Sequence, residues 1–316
     1  MTTGIYDIHV HLPDPFALIR YSQTGKKRFF MRILLRRLKK GSRVLGTEVV
    51  ERHNLEVIRK IESSMLSRAV VLAFDKACDE SGNPVGEFTC TNEFVSRLCG
   101  RSKKLLFGAS IHPYRKDALQ TLQQCVEDGA CLVKWLPSAQ NIDPEDSRCH
   151  PFYEMLASSK VPLLCHTGNE HILGNRHSEF NDPLKLRTAL RKGVKVIAAH
   201  CGARLLLHER SYFDTWKRLA LEFENCYGDV SAFILPTRVH LLKQLRNDRD
   251  LCSKVLFGSD YPVVPSLNSC LLHLGYKNVR KLRKEMNEFN RAIGALRELG
   301  MPDCIFTKAS EILKVC

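Results

Sequence analysis

The chain has 316 residues, 44% hydrophobic and 26% charged, which is ordinary for a globular protein and enough to bury a substantial core. Its net charge of +14 is concentrated: ten Lys or Arg and no Asp or Glu lie between Arg20 and Arg43, which leaves about +4 for everything else. No stretch approaches the roughly 20 apolar residues of a membrane span, and the opening residues lack the pattern of a signal peptide, so a cytoplasmic location is the default expectation.

The first element is a strand over residues 4–12, rich in β-branched and aromatic residues and closed by Pro13. It carries Asp7-Ile8-His9-Val10-His11. Side chains two apart on a strand share a face, so His9 and His11 project together and can hold one divalent metal. Residues 16–50 read as a basic helical insertion interrupted by Gly41 and Gly46. A helix over 47–64 follows, with Val49, Val50, Leu55, Ile58 and Ile61 as its apolar face. Residues 68–74 are a continuous apolar run, the pattern of a strand buried on both sides.

The alternation then repeats. Strands are expected over 105–113, 131–137, 161–168, 194–202, 226–232 and 254–262. Helices are expected over 117–129, 150–159, 183–192, 216–223 and 239–245. The chain ends in helical residues 277–315, with 306–313 as a short amphipathic closing helix. Eight strands separated by helices, about 25 to 35 residues apart after the first gap, predict an α/β fold, the (β/α)8 TIM barrel. A doubly wound sheet fits less well, because no glycine-rich first turn is present. A single domain over 1–316, with the basic helical insertion after strand 1, is the expected organisation.

Thirteen cysteines are scattered without a Cys-X-X-Cys pair, which argues against a zinc ribbon or a thioredoxin-like site. Free, mostly buried thiols in a reducing compartment are expected. Cys165 and Cys201 each neighbour a histidine, but adjacent strand residues face opposite sides.

Polar residues recur at the C-terminal ends of the strands: His9 and His11 on the first, His112 on the third, Lys134 on the fourth, His166 on the fifth, His200 on the sixth and Asp260 on the eighth. In a barrel these ends meet at one mouth, where active sites are built. One such histidine is most often structural; this set together points to a metal centre. His53, His150, His177, His208, His240 and His273 have no strand-end position and are not expected as ligands.

The chain resembles the amidohydrolase superfamily of metal-dependent barrel hydrolases, in its amidohydrolase-related branch, from Tyr6 to about Pro262. The matching segments are Asp7-Ile8-His9-Val10-His11, Cys165-His166-Thr167-Gly168, Ala199-His200-Cys201-Gly202 and Gly258-Ser259-Asp260-Tyr261-Pro262. The resemblance implies that His9, His11, His166 and Asp260 ligate metal, and that His200 is a second-metal ligand or a catalytic acid/base. It further implies catalysis by Asp260, which can orient a water and shuttle its proton. Val133-Lys134-Trp135-Leu136-Pro137 is similar to the fourth-strand segment of dihydroorotases, where a carbamylated lysine bridges two metals. A carbamate on Lys134 would therefore mean two ions, and a free amine one. The metal is a divalent cation with zinc as the first expectation; manganese, iron and cobalt suit the same ligands.

His112, Tyr114 and Arg115 after the third strand, and Asn169, Glu170, His171 and Arg176 after the fifth, are the candidates for substrate contact. Arg115 or Arg176 could pair with a substrate carboxylate. The expected reaction is cleavage of a C–N or C–O bond in a small anionic amide, cyclic amide or lactone. A single-metal decarboxylase or hydratase of the same superfamily is the alternative. A non-catalytic barrel binding a polyanion is the reading from another class. For the basic insertion, a solvated flap over the mouth is favoured over attraction of an anionic substrate, or contact with an anionic membrane surface or nucleic acid. No nucleic-acid-binding motif accompanies it, so no nucleic-acid partner is expected, and a homo-oligomer is left open.

Overall fold

A computed structural model describes residues 4–23, 35, 45–86, 88–170, 177–263, 265–268 and 270–315. Eight parallel strands form one sheet in sequential order. They are β1 (Ile5–Val10), β2 (Leu66–Leu72), β3 (Leu105–Ala109), β4 (Leu132–Trp135), β5 (Leu163–His166), β6 (Val196–Ala199), β7 (Cys226–Asp229) and β8 (Val255–Leu256). The sheet returns on itself where Ile8 N donates to Phe257 O at 3.1 Å and His11 N to Tyr261 O at 2.8 Å. This is the expected (β/α)8 barrel, and seven of the strands lie within their predicted ranges; β2 starts at Leu66, two residues before the expected 68–74.

Alternation along the strands separates two apolar layers. Ile8, Val70, Leu72, Leu132, Leu164, Ile197, Ala199 and Leu256 fill the inside of the barrel. Their neighbours Val71, Val133, Leu163, Cys165, Val196, Ala198, Val255 and Phe257 face outward into the helix layer. Because both faces are covered, the strands read as apolar runs. Ala309, Ile312 and Leu313 from the chain's end join the inner layer, and Lys314 N donates to Cys131 O just before β4. The closing segment, two short helices at Cys304–Thr307 and Ala309–Ile312, thus plugs the end of the barrel opposite the mouth.

Several helices match their expected ranges: Ala118–Glu127, His150–Ser159, Phe213–Glu222, and the pair Pro183–Leu186 and Arg187–Arg191. The apolar face expected for the helix at Thr47–Glu62 needs one correction. Leu55 is exposed, and Asn54 takes the inward position with Val50, Val57, Ile58 and Ile61. Helical spacing from Val50 and Ile58 selects residue 54, a quarter turn away from 55. The buried Asn54 amide is accommodated because its Nδ2 donates to Pro13 O at 2.9 Å. A helix at Asn92–Cys99, whose Thr91 side chain caps Phe94 N, connects β2 to β3 and had no counterpart among the predicted elements. Neither had the short hairpin of Ala77–Cys78 and Pro84–Val85.

Of the basic insertion, the helix Pro15–Gln23 and Leu35 are described; Leu18, Tyr21 and Leu35 pack with Leu45, Val49 and Val50. Residues 24–34 and 36–44, which carry nine of its ten basic side chains, lie outside the described residues. All described cysteines are free thiols, and all but Cys99 and Cys304 are buried. No described helix is long and apolar enough to cross a membrane.

Candidate metal centre at the barrel mouth

The inward-facing positions of the strands lead directly to the polar cluster. Leu132 is followed two residues on by Lys134, Leu164 by His166, Tyr227 by Asp229, and Leu256 by Gly258 and then Asp260. On β1 the pairing with β2 shifts register between Asp7 and Val10. Across this irregularity the parity inverts: Ile8 faces in and Val10 out. His9 and His11 are thereby both turned to the mouth, with ring centroids 5.1 Å apart.

Donor atoms of His9, His200 and Asp260 lie within 4.8 Å of one another. His9 Nε2 is 3.5 Å and His11 Nε2 3.7 Å from Asp260 Oδ1. The His200 ring stands 5.4 Å from that of His9 and 5.0 Å from that of His166, so the four imidazoles form one group. His166 Nε2 is enclosed and has no hydrogen-bond partner; Glu170 Oε2 is 3.7 Å away. Lys134 Nζ is 3.2 Å from His9 Nε2 and fully enclosed within the barrel.

Asp229 organises this group from behind. Its Oδ2 accepts from His9 Nδ1 at 2.8 Å, and its Oδ1 accepts from His200 N at 2.7 Å and Ser231 N at 3.1 Å. The Ser231 hydroxyl also donates to Oδ1. A carboxylate on Nδ1 places the imidazole proton there and leaves the Nε2 lone pair toward the mouth. His200 Nδ1 is held likewise, by Ser231 O at 3.1 Å and Ser231 Oγ at 2.8 Å. His200, Cys201 and Asp260 all have left-handed backbone conformations, with φ of 61°, 49° and 58°. Such conformations are uncommon for residues with a Cβ and tend to gather at functional sites.

Burial sets the proton affinities. It pulls His9 and His200 well below the usual imidazole value and His166 down to about 3, so all three are neutral at pH 7. It also lowers the Lys134 amine. It raises Asp260 to about 7, against the opposing pull of the Lys134 charge, and Asp7 likewise to about 7. Asp7 Oδ1 accepts from His9 N and Ser259 N, so this residue links the ends of β1 and β8.

Neutral imidazoles with directed lone pairs, a carboxylate among them and an enclosed nitrogen without a partner are what a divalent cation requires. The donor set fits one. A lysine ammonium 3.2 Å from His9 Nε2 would repel it, so the neutral amine or an anionic carbamate is the form compatible with metal.

The residues expected to touch substrate are placed differently. His112 gives both ring nitrogens to local backbone: Nε2 donates to Gln140 O at 2.8 Å and Nδ1 accepts from Tyr114 N at 3.2 Å. Arg115 pairs with Asp117 at 2.7 Å and Asp75 at 3.0 Å. Neither is brought to the histidine cluster; local partners satisfy both, which argues against the expected contact. His171 and Arg176 lie outside the described residues. Three residues of the centre's surroundings were not anticipated. Asp229 ends the seventh strand, so the strand-end rule that found the others would have found it. Ser231 falls within the range expected for the seventh strand, 226–232, two residues beyond Asp229, and Arg238 lies on the following loop, where no periodicity marks it.

The family model described as "Amidohydrolase" matches residues 6–272. No curated protein sequence matches the chain. An uncharacterised TIM-barrel protein from Bordetella bronchiseptica superposes with a TM-score of 0.59 at 16% identity, over 97% of this chain and 99% of that one. A probable 2-pyrone-4,6-dicarboxylic acid hydrolase from Acinetobacter baumannii gives 0.55 at 11% identity, over 98% of each chain. The 5-carboxyvanillate decarboxylase of Sphingomonas paucimobilis gives 0.54 at 12% identity, over the full length of both. At these identities the structures share the fold, and the family rests on the match across most of the chain: this protein belongs to the amidohydrolase family.

Proposed function

We propose that the chain is a metal-dependent hydrolase that cleaves a C–N or C–O bond, in an amide, cyclic amide or lactone, of a small anionic substrate. The observation that carries this reading is the convergence of His9, His200 and Asp260 with a carboxyl held near neutrality. His9, His11, His166 and Asp260 would hold a divalent cation, zinc first, with His200 as a further ligand or an acid/base. A bound cation supplies Lewis acidity, bringing the pKa of a water toward neutrality and polarising a carbonyl.

The chain's own residues do the rest. Asp260 can take a proton from the attacking water on a carboxylate oxygen and return it to the leaving nitrogen or oxygen. His200, neutral and fixed through Nδ1, presents Nε2 as a hydrogen-bonding group or ligand. Asp229 keeps the His9 lone pair aimed directly and that of His200 through Ser231 while this happens.

Lys134 decides between one ion and two. A buried lysine with lowered proton affinity has the neutral, nucleophilic amine that can add to carbon dioxide, with loss of a proton, to make a carbamate, an anionic oxygen ligand that would suit a second ion. A second reading, a single-metal decarboxylase, is favoured by one observation: among the described residues, one cluster of three donors is close enough to share an ion.

Turnover on matched lactones, cyclic amides and aromatic carboxylates separates the two readings, with metal stoichiometry measured on the same sample. Hydrolysis with Asp260→Asn retaining metal but losing most turnover is expected. Unchanged turnover in that variant removes Asp260 from the mechanism, and carbon dioxide release without hydrolysis replaces the reading with the second.

A further inference from the structure

Among the described residues, Arg238 is the one cation beside the centre with no role in the mechanism above. It lies on the loop after β7 and is only 4% exposed. Its Nε donates to Arg204 O at 3.1 Å, and its Nη1 reaches Ser231 O at 3.5 Å, the same carbonyl that holds His200. These two carbonyls hold the guanidinium between the loops after β6 and β7. Among the described residues, no carboxylate lies within ion-pair distance of it and Nη2 makes no hydrogen bond.

A guanidinium stays charged in proteins, and enclosing one without an anion is costly. The carboxylates that offset it are Asp260 and Asp229, both committed to the centre, and Glu209 on the loop after β6. The guanidinium shares Ser231 O with the His200 ring, which places it beside that histidine. A preorganised guanidinium fork with a free edge matches a planar carboxylate. We infer that Arg238 anchors a carboxylate of the substrate beside the His9–His200–Asp260 cluster. This makes the substrate an acid bearing the reacting bond a short distance from its carboxylate. It also moves the anchor from Arg115, whose guanidinium is taken up by Asp75 and Asp117.

The inference rests on the reading of the mouth as the reaction site, and its test is a binding measurement. The metal-loaded chain is titrated calorimetrically with succinate, glutarate, phthalate and isophthalate, each paired with its monoamide. At least one diacid should bind about 10-fold or more tightly than its monoamide, the scale of one charge-assisted pair. Arg238→Gln should abolish that preference, Arg238→Lys should restore part of it, and Arg115→Gln should leave it intact. Metal content of each variant shows whether the centre survives. No preference in the wild-type chain overturns the anchor even if Arg238→Gln fails to fold. A preference that persists in a folded, metal-loaded Arg238→Gln overturns it too. If the preference depends on Arg238 but no ester, lactone or amide is turned over, the anchor stands and the hydrolase reading falls. If hydrolysis is found without the preference, the reverse holds.

Discussion

Asp229 accepts hydrogen bonds from the His9 ring and the His200 backbone, and through Ser231 it steadies the His200 ring. Removing its charge while keeping its shape tests that arrangement. Asp229→Asn should weaken divalent-metal affinity about 10- to 100-fold, the usual effect of losing a carboxylate behind a ligating histidine, as read by competition with a chromogenic chelator. Acidity should act on the metal-free chain through the same group. His166, neutral in the folded chain to about pH 3, takes a proton near 6.5 when unfolded; His9 and His200 behave alike. The unfolded state then binds more protons below 6.5, so these groups cost stability as pH falls toward 3. Asp7 and Asp260 act in the opposite sense between 3.8 and about 7, because their folded forms hold the extra proton. His11, lowered to about 3, and His112, lowered to about 4, add to the same side, and five imidazoles against two carboxyls leave a net loss on acidification. The melting temperature of the metal-free chain should therefore drop between about pH 6 and pH 4.5. A flat or rising profile would contradict the burial of these histidines.

The strands position the centre through close approach as well as parity. A Cβ on Gly258, in the segment leading from β8 to Asp260, would sit 2.8 Å from His9 Cβ and 3.2 Å from Ser231 Cβ. Glycine there lets β8 close against β1 at the level of the ligands. Gly258→Ala should cost about 1–3 kcal/mol by urea titration, as overpacking does, and should lower metal occupancy in the fraction that folds. Normal occupancy would mean that His9 is not held by this contact. The eight strands were legible in the sequence because apolar cover on both faces writes them as unbroken runs bounded by polar ends. The candidate ligands were legible for the same reason, as polar positions just beyond those runs. Asn54 was not, since its burial depends on a carbonyl, Pro13 O, contributed from 41 residues away. Arg238 was not, since a loop has no period to break.

Across the whole molecule, the mouth carries the chemistry and the opposite end carries the closure. Phe306 is fully buried, packs on Phe257 with ring centroids 5.2 Å apart, and follows Ile305, whose carbonyl accepts from Phe257 N. Phe306→Ala should destabilise the chain by about 3–5 kcal/mol, measured by urea unfolding, while the metal affinity of the folded fraction stays near the wild-type value. A parallel loss of affinity would show that the two ends of the barrel are coupled. The central claim concerns the mouth, and metal content tests it most directly. Elemental analysis of the purified chain should find at least one divalent ion per chain, and His9→Ala/Asp260→Ala should hold none while remaining folded. A wild-type chain that carries no divalent ion and takes none up at neutral pH would contradict the account, as would a double variant with undiminished content.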